Sequence, residues 1–466
     1  MYRVISGGLS LRRVGLVLIE HVLIVLAVLF AAWLRVGLSD ASLFVTLMDW
    51  VGRAELVAIV VQACLYYGDL YDLRTLADRR DLLIGLFQSL GAASAILALL
   101  YYWIPELVVG RGVFAMATML IISLVIGWRV AFDWLSLKGR PTERLLIVGT
   151  GAAAVSLAQE LFERRSELGV ELVGFVDHDS ANTDPSVARP EVIGTVHDIP
   201  QIVRERRVDR VVVSLADARG KLNMNELLAM KLNQGVRFDH LASVYEEYTG
   251  KIAVENLRPS WVIFSDGFRQ SARLDAVKRV SDVVLAGLGL VMAVPLMLAV
   301  ALAIRMSSVG PIVYSQRRVG KNGAPFVIFK FRSMRVDAEA ASGAVWSTAN
   351  DPRVTAVGRF MRRTRLDELP QLWNVLRGDM SFVGPRPERP EFIASLTEKI
   401  PFYPQRHAVR PGLTGWAQVR HRYGSSVDDA QEKLQYDLFY IKHMSFSFDL
   451  YIVFETIKTV LVRGGS

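Results

Sequence analysis

TRLDELPQLWNVLRGDMSFVGPRP, residues Thr364–Pro387, gathers an acidic pair, several arginines, two glycine turns and a Pro-Arg-Pro into one short stretch. Proline has no amide proton and biases the preceding residue away from the helical region. One helix is therefore expected to stop near Leu366 and another to start near Pro370, with proline in its first turn. Asp367 and Glu368 then fall at the break, beside backbone amides that favour negative charge. Arg359, Arg362, Arg363, Arg365, Arg377 and Arg386 flank them. Carboxylates among guanidiniums suit the binding and attack of a metal-bound phosphate. They equally suit an ion-pair network on a surface helix, which by itself says little about function. Residue types alone leave both readings open.

Upstream, SVGPIVYSQRRVGKNGAPFVIFKFRSMRVDAE (Ser308–Glu339) predicts strands at Ile312–Gln316 and Phe326–Phe331, with a basic, glycine-rich turn between them. Arg317, Arg318, Lys321, Lys330, Arg332 and Arg335 form a dense positive patch, fit for phosphate or for anionic lipid. Before it, Val280–Ile304 is an apolar segment with Pro295 near its middle and basic residues at both ends. Its length allows a crossing. The proline and the two basic ends favour a re-entrant helix that bends at Pro295 and leaves on the side it entered.

Further upstream, Leu145–Val148 reads as a buried parallel strand, and Gly149-Thr150-Gly151 as a strand-to-helix turn. Ala154 stands where the third glycine of G-x-G-x-x-G would be, and a second strand, Glu171–Val176, ends in Asp177. This is the pattern of a dinucleotide-binding βαβ unit, with Gly149, Gly151 and Asp177 as candidate nucleotide contacts. Arg210–Ser214 adds a strand. The α/β part is bounded at Lys138–Glu143 and at about Ser265. Many such folds are scaffolds only, and no Tyr-x-x-x-Lys spacing follows Tyr245 and Tyr248 to suggest a dehydrogenase base.

The N-terminal part holds four apolar runs: Val14–Leu34, Val51–Tyr67, Leu82–Ile104 and Val113–Leu135. Each approaches the ~20 residues a helix needs to cross hydrocarbon. The second is the least apolar, with Arg53 and Glu55 at its start. Arg3, Arg12, Arg13, Arg74, Arg79, Arg80, Lys138, Arg140 and Arg144 lie on one side of these runs. The positive-inside rule places that side, and all that follows Leu135, in the cytoplasm.

Composition agrees. The 466-residue chain is 52% hydrophobic with a net charge of +8, a mean hydropathy of +0.30 and a pI near 9.5. Basic and apolar together point to a membrane protein facing anionic lipid or substrate; the hydrophobic blocks argue against a nucleic-acid partner. The single cysteine, Cys64, excludes an intrachain disulfide framework or cysteine-based zinc site. The seven histidines show no metal-ligand spacing. The expected fold is a membrane α-helical N-terminal bundle (1–137), an α/β Rossmann-like middle domain (138–265) and a mixed, mainly α catalytic domain with a re-entrant membrane helix (275–466).

From about Asp275 onward the chain resembles the bacterial sugar transferases, the polyprenyl-phosphate hexose-1-phosphate transferases or monotopic phosphoglycosyl transferases. The resemblance is carried by KRVSD (Lys278–Asp282), YSQRRVGKNG (Tyr314–Gly323), FKFRSM (Phe329–Met334), LDELPQLWNVLRGDMSFVGPRP (Leu366–Pro387), RPGLTGWAQV (Arg410–Val419) and KLQYDLFYIKHMSFSFDL (Lys433–Leu450). The four-helix block and α/β domain resemble the family's large members. The resemblance implies transfer of a sugar-1-phosphate from a UDP-sugar to undecaprenyl phosphate, with release of UMP. It would start exopolysaccharide, capsule or O-antigen synthesis at the bacterial inner membrane. It implies Asp367 as nucleophile, forming an aspartyl-phosphosugar, and Glu368 as its metal-linked or proton-accepting neighbour. Mg²⁺ is the implied cofactor, on Asp367 and Glu368. Arg386, Lys330, Arg332 and Arg410 are the implied phosphate ligands, and Pro295 the bend of the re-entrant helix, here preceded by Val294 where the family often has serine. Trp416 and Gln418 are candidates for a nucleotide or sugar wall, or for packing. Asp437 and Tyr440 lie on an amphipathic helix whose aromatics are expected at the membrane interface. Inner-membrane lipids are expected partners, and a homodimer is an open expectation. An NAD-dependent nucleotide-sugar dehydratase and a non-catalytic assembly protein are the competing readings.

Overall fold

Long apolar stretches become helices first. In a computed structural model of the chain these are α1 (Leu11–Val36), α2 (Leu43–Tyr67), α3 (Arg79–Trp103) and α4 (Arg111–Leu137). The structure describes residues 11–36, 43–68, 70–71, 79–137, 143–163, 168, 170–177, 191–214, 224–254, 267–268, 271–338, 351–421, 424 and 426–463. They fall into two compact units that divide between Asp239 and His240. Arg3, Arg74, Lys138 and Arg140, invoked for orientation, lie outside the described residues.

Among the described residues, α1, α3, α4 and the later helix Ala272–Ser307 are long and apolar enough to cross a membrane. α2 carries Asp49, Arg53 and Glu55 and falls short. Leu16, Ile24, Ala58, Val61, Leu97 and Ile121 fill the bundle interior. Leu18, Val22, Leu26, Leu99 and Met119 face outward. Helices apolar inside and out belong in lipid rather than water. Glu20, an interruption in the first apolar run, is fully buried and has a partner. Arg129 of α4 donates to it from Nε at 2.6 Å and from Nη2 at 3.1 Å, and from Nη1 to the Leu70 carbonyl at 2.7 Å. An intramembrane charge needs such a partner.

The α/β part follows as β1 (Glu143–Val148), α5 (Ala152–Glu163), β2 (Val170–Asp177), β3 (Val192–Thr195), α6 (Ile199–Arg206), β4 (Arg210–Val213), α7 (Met224–Gln234) and β5 (Arg237–His240). The strand order is β3-β2-β1-β4-β5. β1 runs parallel to both β2 and β4, and β2 to β3. Chain order reverses beside β1, which makes the sheet Rossmann-like. Leu145–Val148 is wholly buried, as a strand covered on both faces must be. Gly149 follows at φ 102°, a region open to glycine, and its amide donates to the Val176 carbonyl. Ala154, fully buried, lets α5 pack close to the sheet.

The second unit opens with α8 (Leu241–Thr249), then α9 (Ala272–Ser307), β6 (Val313–Val319) and β7 (Pro325–Phe331). The sequence reading carried the α/β part to about Ser265, whereas α8 lies in this unit. β6 and β7 pair antiparallel. β6 runs three residues further than expected, so Arg317 and Arg318 are strand residues rather than part of the turn. There follow α10 (Ala356–Thr364), a 3₁₀ turn (Leu366–Glu368), α11 (Gln371–Arg377), β8 (Ser381–Val383), α12 (Pro390–Lys399), β9 (Gly412–Thr414), α13 (Trp416–Arg420), α14 (Val427–His443) and α15 (Phe446–Arg463). β8 and β9 pair in parallel. α9 is one helix of 36 residues with Pro295 inside it. Before the proline, Ala286 packs with Ile328, Val375 and Met380. After it, Val300 and Ile304 pack with Phe331 and Met361. Between those contacts Leu288, Val291, Met292 and Leu298 are exposed.

Candidate active site

The helix break falls where the proline predicted it, but Arg365 makes it. α10 ends at Thr364, and Arg365 takes a left-handed φ of 58°. Pro370, at φ −62° and ψ −18°, is helical, because proline suits a first turn. The redirected chain carries Asp367 and Glu368 inward in the 3₁₀ turn, to 7% and 8% exposure. α10 is itself locked in place. A Cβ on Gly358 would fall 2.0 Å from the Ser333 carbonyl oxygen, so only glycine lets α10 approach the end of the hairpin.

The two carboxylates differ sharply. Glu368 Oε1 accepts from Lys330 Nζ at 2.8 Å and from Arg386 Nη2 at 2.9 Å. Burial pushes its pKa up, but Arg386, Lys330 and Arg365 outweigh burial and hold it well below the usual range. Asp367 is raised, by burial first and by the Glu368 charge second, with Lys330, Arg362 and Arg365 opposing. Its Oδ1 is buried with no hydrogen-bond partner among the described residues. Gln371 Nε2, one turn on, is likewise buried without one. Among the described residues no group of three or more His, Cys, Asp or Glu could cage a metal ion. A magnesium ion does not need such a cage, since one or two carboxylates and substrate phosphates suffice. The buried carboxylates of Asp367 and Glu368, adjacent in the 3₁₀ turn, fit that coordination.

Lys330 and Arg386 are held by different means. Lys330 sits on β7, which Asn374 of α11 grips: its Oδ1 accepts from the Phe329 amide and its Nδ2 donates to the Val327 carbonyl. Arg386 sits in Gly384–Pro387, where two prolines remove amide donors and leave carbonyls to satisfy. The Gly412 amide donates to the Pro385 carbonyl at 2.9 Å. Arg406 donates to that of Arg386 at 3.1 Å, and Arg318 to that of Pro387 at 3.1 Å. Arg406 is buried and lies 2.8 Å from Asp437 Oδ2 as an ion pair without hydrogen-bond alignment. Burial, opposed by Arg406, pushes Asp437 up to about 6. From α9, Arg279 donates to the Val375 and Leu376 carbonyls at the end of α11. Asp282 accepts from Ser381 Oγ and the Phe382 amide. The sequence reading missed Arg318, Asn374 and Arg406 as supports of the site. The signal available for Arg406 was an arginine near RPGLTGWAQV with no other stated role.

Other candidates lie elsewhere. The Arg332 fork caps the end of α9, donating to the Val309 carbonyl and to the carbonyl and hydroxyl of Ser308. Arg410 is half-buried before β9, its carbonyl oxygen 2.4 Å from where a Gly384 Cβ would stand. Trp416 is buried and packs against Phe439 and Phe448; Gln418 Nε2 donates to the Leu413 carbonyl, and its Oε1 is buried with no hydrogen-bond partner among the described residues. Asp437 and Tyr440 are 1% exposed, which corrects the expected interfacial face: α14 is a core helix. In the α/β part Asp177 is hydrogen-bonded by the Thr150 hydroxyl across the Gly149–Gly151 turn.

Residues 273–463 match the family model described as bacterial sugar transferase, and 67–237 match a CoA-binding domain model. The site therefore lies in a transferase domain on a membrane-type chain. Over 260 residues the chain is 40% identical to UDP-N-acetylgalactosamine-undecaprenyl-phosphate N-acetylgalactosaminephosphotransferase of Aeromonas hydrophila, covering 56% of this chain and 60% of that protein. Over 342 residues it is 34% identical to UDP-glucose:undecaprenyl-phosphate glucose-1-phosphate transferase of Escherichia coli (strain K12), covering 71% and 70%. Over 193 residues it is 42% identical to exopolysaccharide production protein PSS of Rhizobium leguminosarum bv. phaseoli, covering 40% and 96%. The chain belongs to the bacterial sugar transferase family.

Proposed function

We propose that the protein transfers a sugar-1-phosphate from a UDP-sugar to undecaprenyl phosphate at the cytoplasmic face of the inner membrane, opening an exopolysaccharide, capsule or O-antigen pathway. The observation that carries this is the buried Asp367 Oδ1, without a partner among the described residues, beside a Glu368 clamped by Lys330 and Arg386. A carboxylate out of water, with no hydrogen bond on that oxygen, is a competent nucleophile. It attacks the sugar-bearing phosphorus, and the bond to the bridging oxygen breaks. UMP leaves, and the sugar phosphate stays on Asp367 as an acyl phosphate. An oxygen of the lipid phosphate then attacks that phosphorus, freeing the carboxylate and forming the polyprenyl-diphosphate-sugar. Neither step removes a proton from the nucleophile. Glu368, held ionised, is a fixed anion that aligns Lys330 and Arg386 rather than a proton carrier. Those two cations and the orphaned Gln371 amide are placed to take phosphate oxygens. Arg410 is a further candidate for them. Mg²⁺ on Asp367 and Glu368 would offset diphosphate charge and improve UMP as a leaving group.

The packing of α9 supports re-entry. Straight, its 36 residues would span about 54 Å, yet the segments on both sides of Pro295 pack on the same unit. A perpendicular crossing would separate them by the hydrocarbon thickness. An apex of exposed Leu288, Val291 and Met292 entering one leaflet satisfies both observations and leaves the site at the lipid headgroups.

The test is UMP release by protein in nanodiscs with undecaprenyl phosphate, Mg²⁺ and a panel that includes UDP-glucose and UDP-N-acetylgalactosamine, the sugars in the relatives' names. Release should need the lipid for turnover, stop with chelator and vanish in Asp367→Asn. Absence of release from every donor by folded wild type would overturn the reading.

A further inference from the structure

We propose that residues 241–254 are a positioning strap for Arg386, an inference that rests on the transferase reading. The strap follows β5 directly in the chain yet packs as part of the catalytic unit. Leu241, Val244, Tyr245, Ile252 and Val254 are buried. Its anchors are polar and specific. Glu246, 7% exposed, accepts from Lys442 Nζ at 2.7 Å and from His443 Nε2, both at the end of α14. Lys251 donates to Glu432 at 2.6 Å and lies over the Tyr436 ring. The Ile252 amide donates to the Gln435 carbonyl.

Between these anchors the strap grips Trp416. The indole Nε1 donates to the Gly250 carbonyl at 2.9 Å. Gly250 has a left-handed φ of 66° and ends α8, and a Cβ there would come within 3.3 Å of the indole. A glycine in this conformation at this distance brings the backbone onto the ring. Buried indoles seek a hydrogen-bond partner, and here the strap supplies it.

Trp416 is two residues beyond β9, and β9 holds the Arg386 loop. The Ser381 amide donates to the Pro411 carbonyl, that of Gly384 to Thr414, and that of Gly412 to Pro385. Cβ atoms on Gly384, Gly412 or Gly415 would each lie under 2.5 Å from backbone of this pair. The pair is thus packed too tightly to shift piecemeal. Strap, Trp416, β9 and the Arg386 loop form one continuous set of contacts, in which Trp416 and Glu246 are positioning residues that touch no substrate.

The experiment uses full-length protein in nanodiscs with three changes: Trp416→Phe, which keeps an aromatic ring but removes the indole donor; Glu246→Ala, which frees the end of α14; and Arg386→Lys. Loss of one hydrogen bond of this kind should raise KM for the UDP-sugar about threefold to tenfold, with KM for undecaprenyl phosphate unchanged. In the Arg386→Lys background the Trp416→Phe change should have no further effect, because the loop it aligns no longer carries the guanidinium. Additive effects in that cycle, or wild-type KM in both strap variants, would overturn the proposal. Hydrogen exchange of peptides spanning 381–387 and 410–416 needs no turnover. Faster exchange in both strap variants is expected, and unchanged protection overturns the proposal even if wild type proves inactive with every donor. Inactive wild type with the expected exchange would instead remove the transferase reading and leave the strap.

Discussion

Burial raises the Asp367 carboxyl and the Glu368 charge raises it further, while Lys330, Arg362 and Arg365 pull it down. In the proposed reaction Asp367 attacks only as a carboxylate, so protonation would stop the first step. A raised pKa therefore moves the acid limb of kcat/KM, which reports the free enzyme, above the ordinary aspartate range. Lys330→Met removes one of the cations that oppose the rise. The limb should then move to still higher pH, with lower activity at every pH because Glu368 loses a partner. A pH–rate profile of UMP release in both proteins checks this, and an unmoved limb would deny Lys330 its electrostatic role. Arg406 offers a second test at this scale. Replacing it with Met leaves Asp437 buried without its ion-pair partner and the Arg386 carbonyl without its donor. Removing one partner of a buried pair typically costs about 3–5 kcal/mol, so Arg406→Met should lower the thermal midpoint in detergent substantially, and a midpoint equal to wild type would contradict the assignment.

Among the elements, the β8–β9 pair does most to aim the site. It is only three residues per strand, too short to persist on ladder bonds alone. Glycine at 384, 412 and 415 lets the backbones interlock, and Asp282 of α9 clamps the start of β8. A Cβ on Gly412 would lie 2.1 Å from the Gly384 nitrogen, a backbone atom that cannot swing aside. Gly412→Ala should cost about 1–3 kcal/mol as overpacking and abolish most transfer; full activity with an unchanged melting curve would show that the loop can move without loss. α9 serves as both anchor and brace, since Arg279 and Asp282 on it hold α11 and β8. The membrane helix and the acidic pair are in this sense one construction.

For the whole molecule the decisive question is which side of the membrane each flank of α9 occupies. Arg273 and Ser307 are exposed near its two ends. In a Cys64→Ser background, Arg273→Cys and Ser307→Cys should both react with an impermeant maleimide in inside-out vesicles and neither in right-side-out ones. Labelling from opposite sides would establish a full crossing and remove the re-entrant topology.

Much of this was legible in the chain. Apolar runs of bilayer length, the strand–glycine–helix pattern at Leu145–Ala154 and the acidic pair at a helix break are short-range signals, set by hydropathy, periodicity and proline chemistry. They determined three kinds of structure in the right order, and which carboxylates stand at the helix break. The tertiary structure decided which cations meet those carboxylates. Arg332 and Arg386 look alike in sequence, yet one caps α9 and the other reaches Glu368, because a guanidinium's partner is chosen by contacts made across the fold. The amphipathic appearance of α14 suggests an interface, but Lys251 of the strap packs on Tyr436, Phe448 of α15 on Phe439 and Tyr440, and Arg406 on Asp437, and all four are buried. The strap itself gave no local sign, since α8 reads as a continuation of the α/β part until Glu246 is seen against Lys442 and His443, nearly two hundred residues away. Local patterns fix an element's kind, and only long-range packing fixes what its polar atoms are for.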